Sequence, residues 1–520
     1  MSRRNALITI TILFSVSVLC RIPFLTRPLD GEHDWLTLHS LLTISIWNTV
    51  GLPQAHYSLL MTYPNPADRF ISYGLNAAIF DHQGNSYFVA FPPLAFLLAF
   101  WTLKLFHLPP QAIWLKAINL AALLPATFLL YAILERVCSN EDRAVARQVA
   151  VLGVSLFLFN RAVLLSLGNL YFPLILVVPI WMMAAYFYCA AQDHSKRKNM
   201  NLALFGVLTF LACYCDWLGM AAAATFFCWS LFRRIRQPID YWLAGLATIA
   251  AGLAGVVVTI EYSSISGLRG FLLQLASRFE DRAGVSNASD KGLTLWNPHT
   301  YFGIASRYRE QYTPLALLLF GFIFLYLFVP RLSRSLRWTT EVRRAAFLFG
   351  LPVAIDHILL ANHTAIHNYA TLKAAPFLVL IAVFLMDNLA QHSWGQCTDQ
   401  VQVSPLLTRC TLAVIVVCLA ATAQYLHRRN DLHPANSRLG MAIRQQSSLN
   451  QVIFMLRRKP GEGVSPNLIY FAGRNIQMVD REEDARWFLE RHGETEGILF
   501  VADLEGDLTA RPTIIRPDSP

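Results

Sequence analysis

Charge is scarce in this sequence. Asp, Glu, Lys and Arg together make up 15% of its 520 residues, whereas 55% are hydrophobic. Runs such as 201–232 and 315–330 pass almost without a charged side chain, and a soluble core of this size has no use for so much apolar sequence. Metal-ligand spacing is missing as well. The nine cysteines stand singly, apart from Cys213 and Cys215, which removes zinc-ribbon readings and leaves them as small core residues. An internal repeat and low-complexity tracts are also lacking, so repeat architectures fall away.

What is present is membrane-length hydrophobicity. A bilayer span needs roughly 20 mostly apolar residues, and the stretches 5–24, 88–106, 112–134, 168–191, 238–260, 313–330, 370–387 and 408–426 meet that length. Residues 148–165, 201–231 and 344–361 are further candidates that divide in more than one way. The expected fold class is therefore an α-helical polytopic membrane protein with roughly ten to twelve crossings. The first apolar run stops at Cys20, but Leu19 stands where a lipobox wants a small residue, and the segment reads as an uncleaved helix.

The formal net charge of +10 looks at first like a nucleic-acid footprint. The basic residues instead gather in short loops, as the positive-inside rule requires, and no nucleic-acid partner is expected. Arg3, Arg4, the run 233–236 and the run 331–344 should face the cytoplasm. That places a first loop, 27–87, a second large loop, 261–312, and the turn 362–369 together on the extracytoplasmic side. Lys196, Arg197 and Lys198 disturb this parity. Either 201–231 is a hairpin of two short helices with Asp216 at its outer tip, or this basic loop breaks the rule. The transmembrane domain is read as 1–427. Residues 428–520 read as a small extracytoplasmic α/β domain, with strands at 468–471 and 498–501 and an amphipathic helix at 482–492.

Three constellations carry chemistry. Directly after the first helix come Asp30, Glu32, His33 and Asp34. Carboxylates packed this closely raise one another's pKa, so they can supply a proton acceptor, bind a cation, or simply form a solvated loop. Asp356, His357, His363, His367, Tyr369 and Lys373 span the end of one helix, a turn and the next helix. An ionisable residue in an apolar helix usually faces a cavity or a partner, and a histidine-capped turn is the plainer reading. Third, Arg269, Arg278, Arg282, Lys291, Arg307 and Arg309 are interleaved with Tyr262, Phe279, Trp296 and Tyr308. Such a segment suits a lipid-carried phosphate, or anchoring among membrane lipid headgroups.

Taken in order, these features resemble the GT-C superfamily of polyprenyl-phosphate-sugar-dependent glycosyltransferases, nearest its protein mannosyltransferase-like and aminoarabinose transferase-like members. Arg21-Ile22-Pro23-Phe24 followed by Asp30-Gly31-Glu32-His33-Asp34-Trp35 is similar to the family's first-helix exit and acidic loop. Tyr87 to Leu94 is similar to its proline-bearing element, although Ala90 and Phe91 stand where relatives often carry an acid. Asn160-Arg161 through Asn169, and His367-Asn368-Tyr369 before Pro376, resemble later family segments.

The resemblance implies transfer of a sugar, with inversion, from a polyprenyl-phosphate donor to a hydroxyl of a glycan, lipid or protein on the extracytoplasmic side. It implies Asp34 as general base with Glu32 behind it. His33, Arg161, Arg269, Asp356, His363, His367, Tyr369 and Lys373 would bind substrate. A divalent cation is left open, with Asp81 and His82 near enough in sequence to hold one. Two rivals remain: a secondary transporter using Asp216, Asp356 and the histidines, and a homologue that keeps the fold without activity.

Overall fold

The structure, a computed structural model, describes the chain except residues 32, 72–77, 194–196, 233–236, 286–293, 330–335, 395–404, 428–433, 459–462, 504–505 and 518–520. The chain opens with α1 (Arg3–Leu25) and α2 (Asp34–Val50), then a hairpin of β1 (Ala78–Phe80) and β2 (Ser86–Phe88). Next come α3 (Leu94–Leu105), α4 (Ala112–Val137), α5 (Arg143–Leu158), α6 (Arg161–Asn169) and α7 (Pro173–Gln192). These lead to α8 (Lys198–Cys215), α9 (Trp217–Phe232), α10 (Pro238–Ala283) and α11 (Pro298–Phe328). The bundle closes with α12 (Thr340–Leu359), the short α13 (Ala361–Ile366), α14 (Ala375–Trp394) and α15 (Pro405–His427).

Eight of the described helical segments are long and apolar enough to cross a bilayer. The helices α5 and α6 meet at a 62° bend and could count as a ninth, while α3 and α9 are shorter apolar helices. This is an integral membrane protein, and the described helices of crossing length number eight, or nine with the bent pair, against the ten to twelve crossings expected, because α3 and α9 are too short to count as spans by length. The most enclosed spans, α7 and the segment Asn368–Gln391 that covers most of α14, are each 83% buried over their apolar windows, whereas α1 and the window of α15 are only 22% buried.

Residues 201–231 form two helices rather than one span, and Asp216, expected at an outer tip, is fully buried between them. Helices α8 and α9 are joined by the single residue Asp216, whose side chain caps Leu218 N at 2.9 Å. A Cβ on Gly219 would lie 2.1 Å from the backbone of Ala212, so only glycine lets the two helices approach this closely.

The segment 261–312, expected as a loop, is mostly helix. Helix α10 runs 46 residues to Ala283, bending where Gly267 takes a φ of 76°, and α11 begins again at Pro298. Leu268, Leu272 and Leu275 recur at helical spacing through its basic residues. Gly284, in the left-handed conformation, ends the helix.

The C-terminal region carries α16 (Ala435–Gln446), β3 (Val452–Leu456), α17 (Pro466–Ala472), β4 (Gln477–Val479), α18 (Glu482–His492), β5 (Gly497–Phe500) and β6 (Thr513–Ile515). The sheet order is β4-β3-β5-β6, with β3 parallel to both neighbours and β6 antiparallel to β5. The strand expected at 468–471 is instead α17. Ser465 caps its start, Pro466 occupies its first turn and left-handed Gly473 ends it, signals that outweigh a short apolar run whose period is ambiguous.

This region is built around the first loop. Ala67 and Ile71 belong to the same buried cluster as Val452, Phe454 and Leu489. The Arg474 guanidinium donates from Nε to both oxygens of buried Asp68, at 3.0 and 2.9 Å. Asn475 accepts from Tyr63 N and donates to Met61 O.

Candidate active site

The acidic loop after α1 and the histidine turn after α12 face one chamber. The His33 ring lies edge-on to Tyr369 at 4.9 Å and 6.4 Å from His367, and Trp35 stands 6.0 Å from His367. His33 takes a φ of 64°, rare for a residue with a side chain. His363 and His367 lie 4.7 Å apart, with His367 stacked on Tyr369.

The chamber holds about 550 Å³, within the usual range for a small-molecule site. Asp30, His363, His367 and Tyr369 line it, with Trp35, Phe91 and Phe172 as aromatic walls. The C-terminal region supplies Asn436, Ser465 and Asn467 as its far wall. Burial, reinforced by His367 and the nearby cations Arg282, Lys373 and Arg278, pushes His363 well below the usual imidazole value. It therefore stands neutral, able to donate from one ring nitrogen and accept at the other.

Beside the chamber runs an apolar groove of about 610 Å³, walled by Met220, Ala224, Leu272, Leu275 and Phe279. Arg278 and Arg282 line both spaces and stand at their junction. Arg282 is buried, lies 4.4 Å over the Phe91 ring, and its Nε has no hydrogen-bond partner. Arg278 pairs with Asp281 at 2.6 Å.

The carboxylates divide. Asp34 is fully buried, and its Oδ2 accepts from Gly31 N at 2.8 Å and pairs with Arg27 at 3.1 Å. Asp30 lines the chamber, with its Oδ1 buried and unpartnered. Burial raises the Asp30 carboxyl above its ordinary value, the neighbouring Asp34 charge adds to the rise, and the Ser437 hydroxyl opposes it. Glu32 lies outside the described residues.

Several expected ligands are engaged elsewhere. Arg161 donates to the Glu310 carbonyl at 2.8 Å and pairs with its carboxylate at 3.2 Å. Lys373 is buried in an ion pair with Asp356, whose carboxylate also lies 3.6 Å from His357 Nδ1. Asp356 borders the groove. Arg269 is exposed and lines neither space; the arginines that do, Arg278 and Arg282, sit further along the same helix four residues apart.

Asp81 organises the β1–β2 turn. Its oxygens accept from Gln83 N, Asn85 N, the Asn85 side chain and Tyr87 OH. His82 is exposed beside it, and among the described residues no three His, Cys, Asp or Glu side chains gather as a metal site. The side chains missed by sequence reasoning are the aromatic walls and the asparagines of the far wall. The four-residue spacing of Arg278 and Arg282 was the available signal for that pair.

No family model and no curated protein matches the sequence. Solved structures do. The chain is similar to ArnT from Cupriavidus metallidurans bound to undecaprenyl phosphate, at 11% identity and a TM-score of 0.58, covering 95% of this chain and 92% of that one. It is also similar to the archaeal oligosaccharyltransferase AglB from Archaeoglobus fulgidus in complex with an inhibitory peptide and a dolichol-phosphate. There the identity is 12% and the TM-score 0.57, over 95% of this chain and 69% of that one. An Archaeoglobus fulgidus oligosaccharyltransferase in complex with zinc and sulfate gives a TM-score of 0.60 at 12% identity, covering 95% of this chain and 68% of that one. The chain thus has the GT-C fold of membrane glycosyltransferases.

Proposed function

We propose that this chain is an inverting glycosyltransferase that moves a sugar from a polyprenyl-phosphate donor to an acceptor hydroxyl on the extracytoplasmic side. The observation that carries the reading is the junction at Arg278 and Arg282, where an apolar groove meets a polar chamber. A prenyl tail fits the groove, the phosphate sits against the guanidinium groups, and the sugar projects into the chamber. Solved proteins of this fold bind undecaprenyl phosphate and a dolichol-phosphate, the same chemical class of lipid.

The reaction is a single displacement. The acceptor hydroxyl attacks the anomeric carbon and gives its proton to a carboxylate. The bond from that carbon to the phosphate oxygen breaks, and polyprenyl phosphate leaves with the electron pair. The leaving group is already an anion, so it needs cationic stabilisation more than an acid. Of the first-loop carboxylates, Asp30 faces the sugar and is assigned the proton. Asp34 holds Arg27 and the Gly31 turn beneath it. His363, His367 and Tyr369 hydrogen-bond the sugar or its phosphate, and Asp356 with Lys373 braces the groove wall.

Proteoliposomes loaded with a radiolabelled polyprenyl-phosphate sugar and a membrane glycan extract test the reading. Polyprenyl phosphate should be released only when both are present. Movement of a solute across the vesicle without donor lipid would replace it with a transporter, and neither release nor transport would leave an inactive homologue.

A further inference from the structure

A second cavity, of about 660 Å³, lies on the other side of the loop that carries Asp30. Resting on the proposed transfer reaction, we propose that this cavity admits the acceptor, and that the acceptor is a membrane-anchored amphiphile with a neutral, hydroxyl-bearing headgroup.

Four observations support this. First, Asp30 is the carboxylate shared by chamber and cavity, whereas Arg278 and Arg282 line only the chamber and groove. An inverting displacement needs the attacking oxygen opposite the leaving phosphate. A hydroxyl arriving from this cavity meets the proton acceptor without crossing the phosphate's arginines. Asp30 Oδ1 is a buried acceptor without a hydrogen-bond partner, an unsatisfied oxygen at the wall between the two spaces.

Second, the lining is amphipathic. Leu25, Ile113 and Phe471 line it together with Thr26, Gln111 and Ser437, so apolar and hydroxyl- or amide-bearing side chains share its wall. An alkyl anchor with a polar headgroup fits that mixed lining better than a fully soluble sugar does.

Third, the cavity opens where membrane helices end. Leu25 closes α1, and Ala112 and Ile113 begin α4. Ile22, one turn before that end, is 49% exposed, and Met441 across the cavity on α16 is 48% exposed. Both α1 and α4 are membrane-length helices, so the cavity sits where two spans end and within reach of an alkyl chain in the bilayer.

Fourth, the described residues of its lining offer no free cation for a phosphate. Its arginine, Arg27, is already paired with Asp34 at 3.1 Å. An anionic headgroup would also face the Asp30 carboxylate, so a neutral sugar or polyol is the favoured headgroup.

The experiment uses the full-length protein in lipid nanodiscs with two photoactivatable probes of equal alkyl chain, an alkyl β-glucoside and an alkyl phosphocholine. Labelled positions are mapped by peptide mass spectrometry. The glucoside should label the region of Ile113 and Met441 about fivefold more than the phosphocholine, the selectivity that one good hydrogen bond provides. Saturating undecaprenyl phosphate should protect Leu272 and Phe279 in the groove and leave the Ile113 region labelled. Ala112→Trp, which fills the cavity, should remove the glucoside label about fivefold. Met441→Trp on the exposed rim gives the same reading should Ala112→Trp fold poorly.

Equal labelling by the two headgroups, or loss of the Ile113 label when undecaprenyl phosphate saturates, overturns the proposal. So does full competition of the glucoside by free glucose, which would make the alkyl anchor irrelevant. Failure of undecaprenyl phosphate to protect the groove, with glucoside selectivity intact, would instead count against the donor assignment.

Discussion

Arg27 and Arg282 both lie over a phenylalanine, Phe24 at 5.4 Å and Phe91 at 4.4 Å, but their surroundings differ. Arg27 is matched by the buried Asp34. The Nε of each guanidinium lacks a hydrogen-bond partner, but Arg282 lines both the chamber and the groove. The matched pattern recurs at Arg161 with Glu310, Lys373 with Asp356 and Arg474 with Asp68. A buried cation whose charge is met within the protein holds elements together, and one whose charge is left over is available to a ligand. The same contrast separates Asp34, matched, from Asp30, whose Oδ1 has no partner.

The sharpest test exchanges the two aspartates. Asp30→Asn should lower turnover by about 10²–10⁴-fold, the usual contribution of general base catalysis, with a melting temperature unchanged or raised, since the ionised carboxylate is disfavoured by burial there. Asp34→Asn should show the opposite balance, losing stability because Arg27 is left buried without its counter-charge. The comparison breaks if Asp34→Asn folds normally and loses all transfer while Asp30→Asn keeps it.

Next in size is Arg282→Gln, which should lower turnover about 10²–10³-fold by removing a donor aimed at the leaving phosphate. Arg161→Gln should instead leave Glu310 half-satisfied, cutting folded yield and melting temperature, with turnover per folded molecule nearly intact. Thermal unfolding measured beside single-turnover rates separates the two.

The pH profile sharpens the same contrast. The Asp30 carboxyl is raised, first by burial and then by Asp34, so the acid limb of transfer should begin above the ordinary carboxylate value of about 4. A folded-state pKa above the unfolded one means that the native protein binds this proton more tightly. Acidification through that window therefore stabilises the fold at Asp30 while it silences the base. A loss of rate that coincides with unfolding would point away from Asp30.

The sequence made much of this legible. Apolar lengths revealed the bundle, and the acidic loop and histidine turn were correctly expected to converge, because both follow directly from where spans end. Side-chain assignment was less legible for a physical reason. Whether Arg161 or Arg282 is left unmatched depends on which carboxylate lies opposite after folding, and Glu310 stands 149 positions from Arg161. The helical course of 261–283 was hidden because its arginines suggested a loop, although its leucines kept helical spacing. In the C-terminal region, capping at Ser465 and Gly473 decided against the strand.

The smallest expected effect probes the two phenylalanines. Phe91→Leu keeps an apolar wall but removes the ring face under Arg282, a cation–π contact of about 0.5–2 kcal/mol. Held less firmly over the junction, the guanidinium should bind undecaprenyl phosphate about 2–30-fold more weakly. Phe24→Leu removes the ring under Arg27, but the Asp34 carboxylate still fixes that guanidinium, so undecaprenyl phosphate binding should be unchanged. Binding measured by microscale thermophoresis on both variants decides the matter. Equal weakening would mean that the counter-charge does not distinguish the two arginines, and that the matched pair at the first loop is part of the donor site after all.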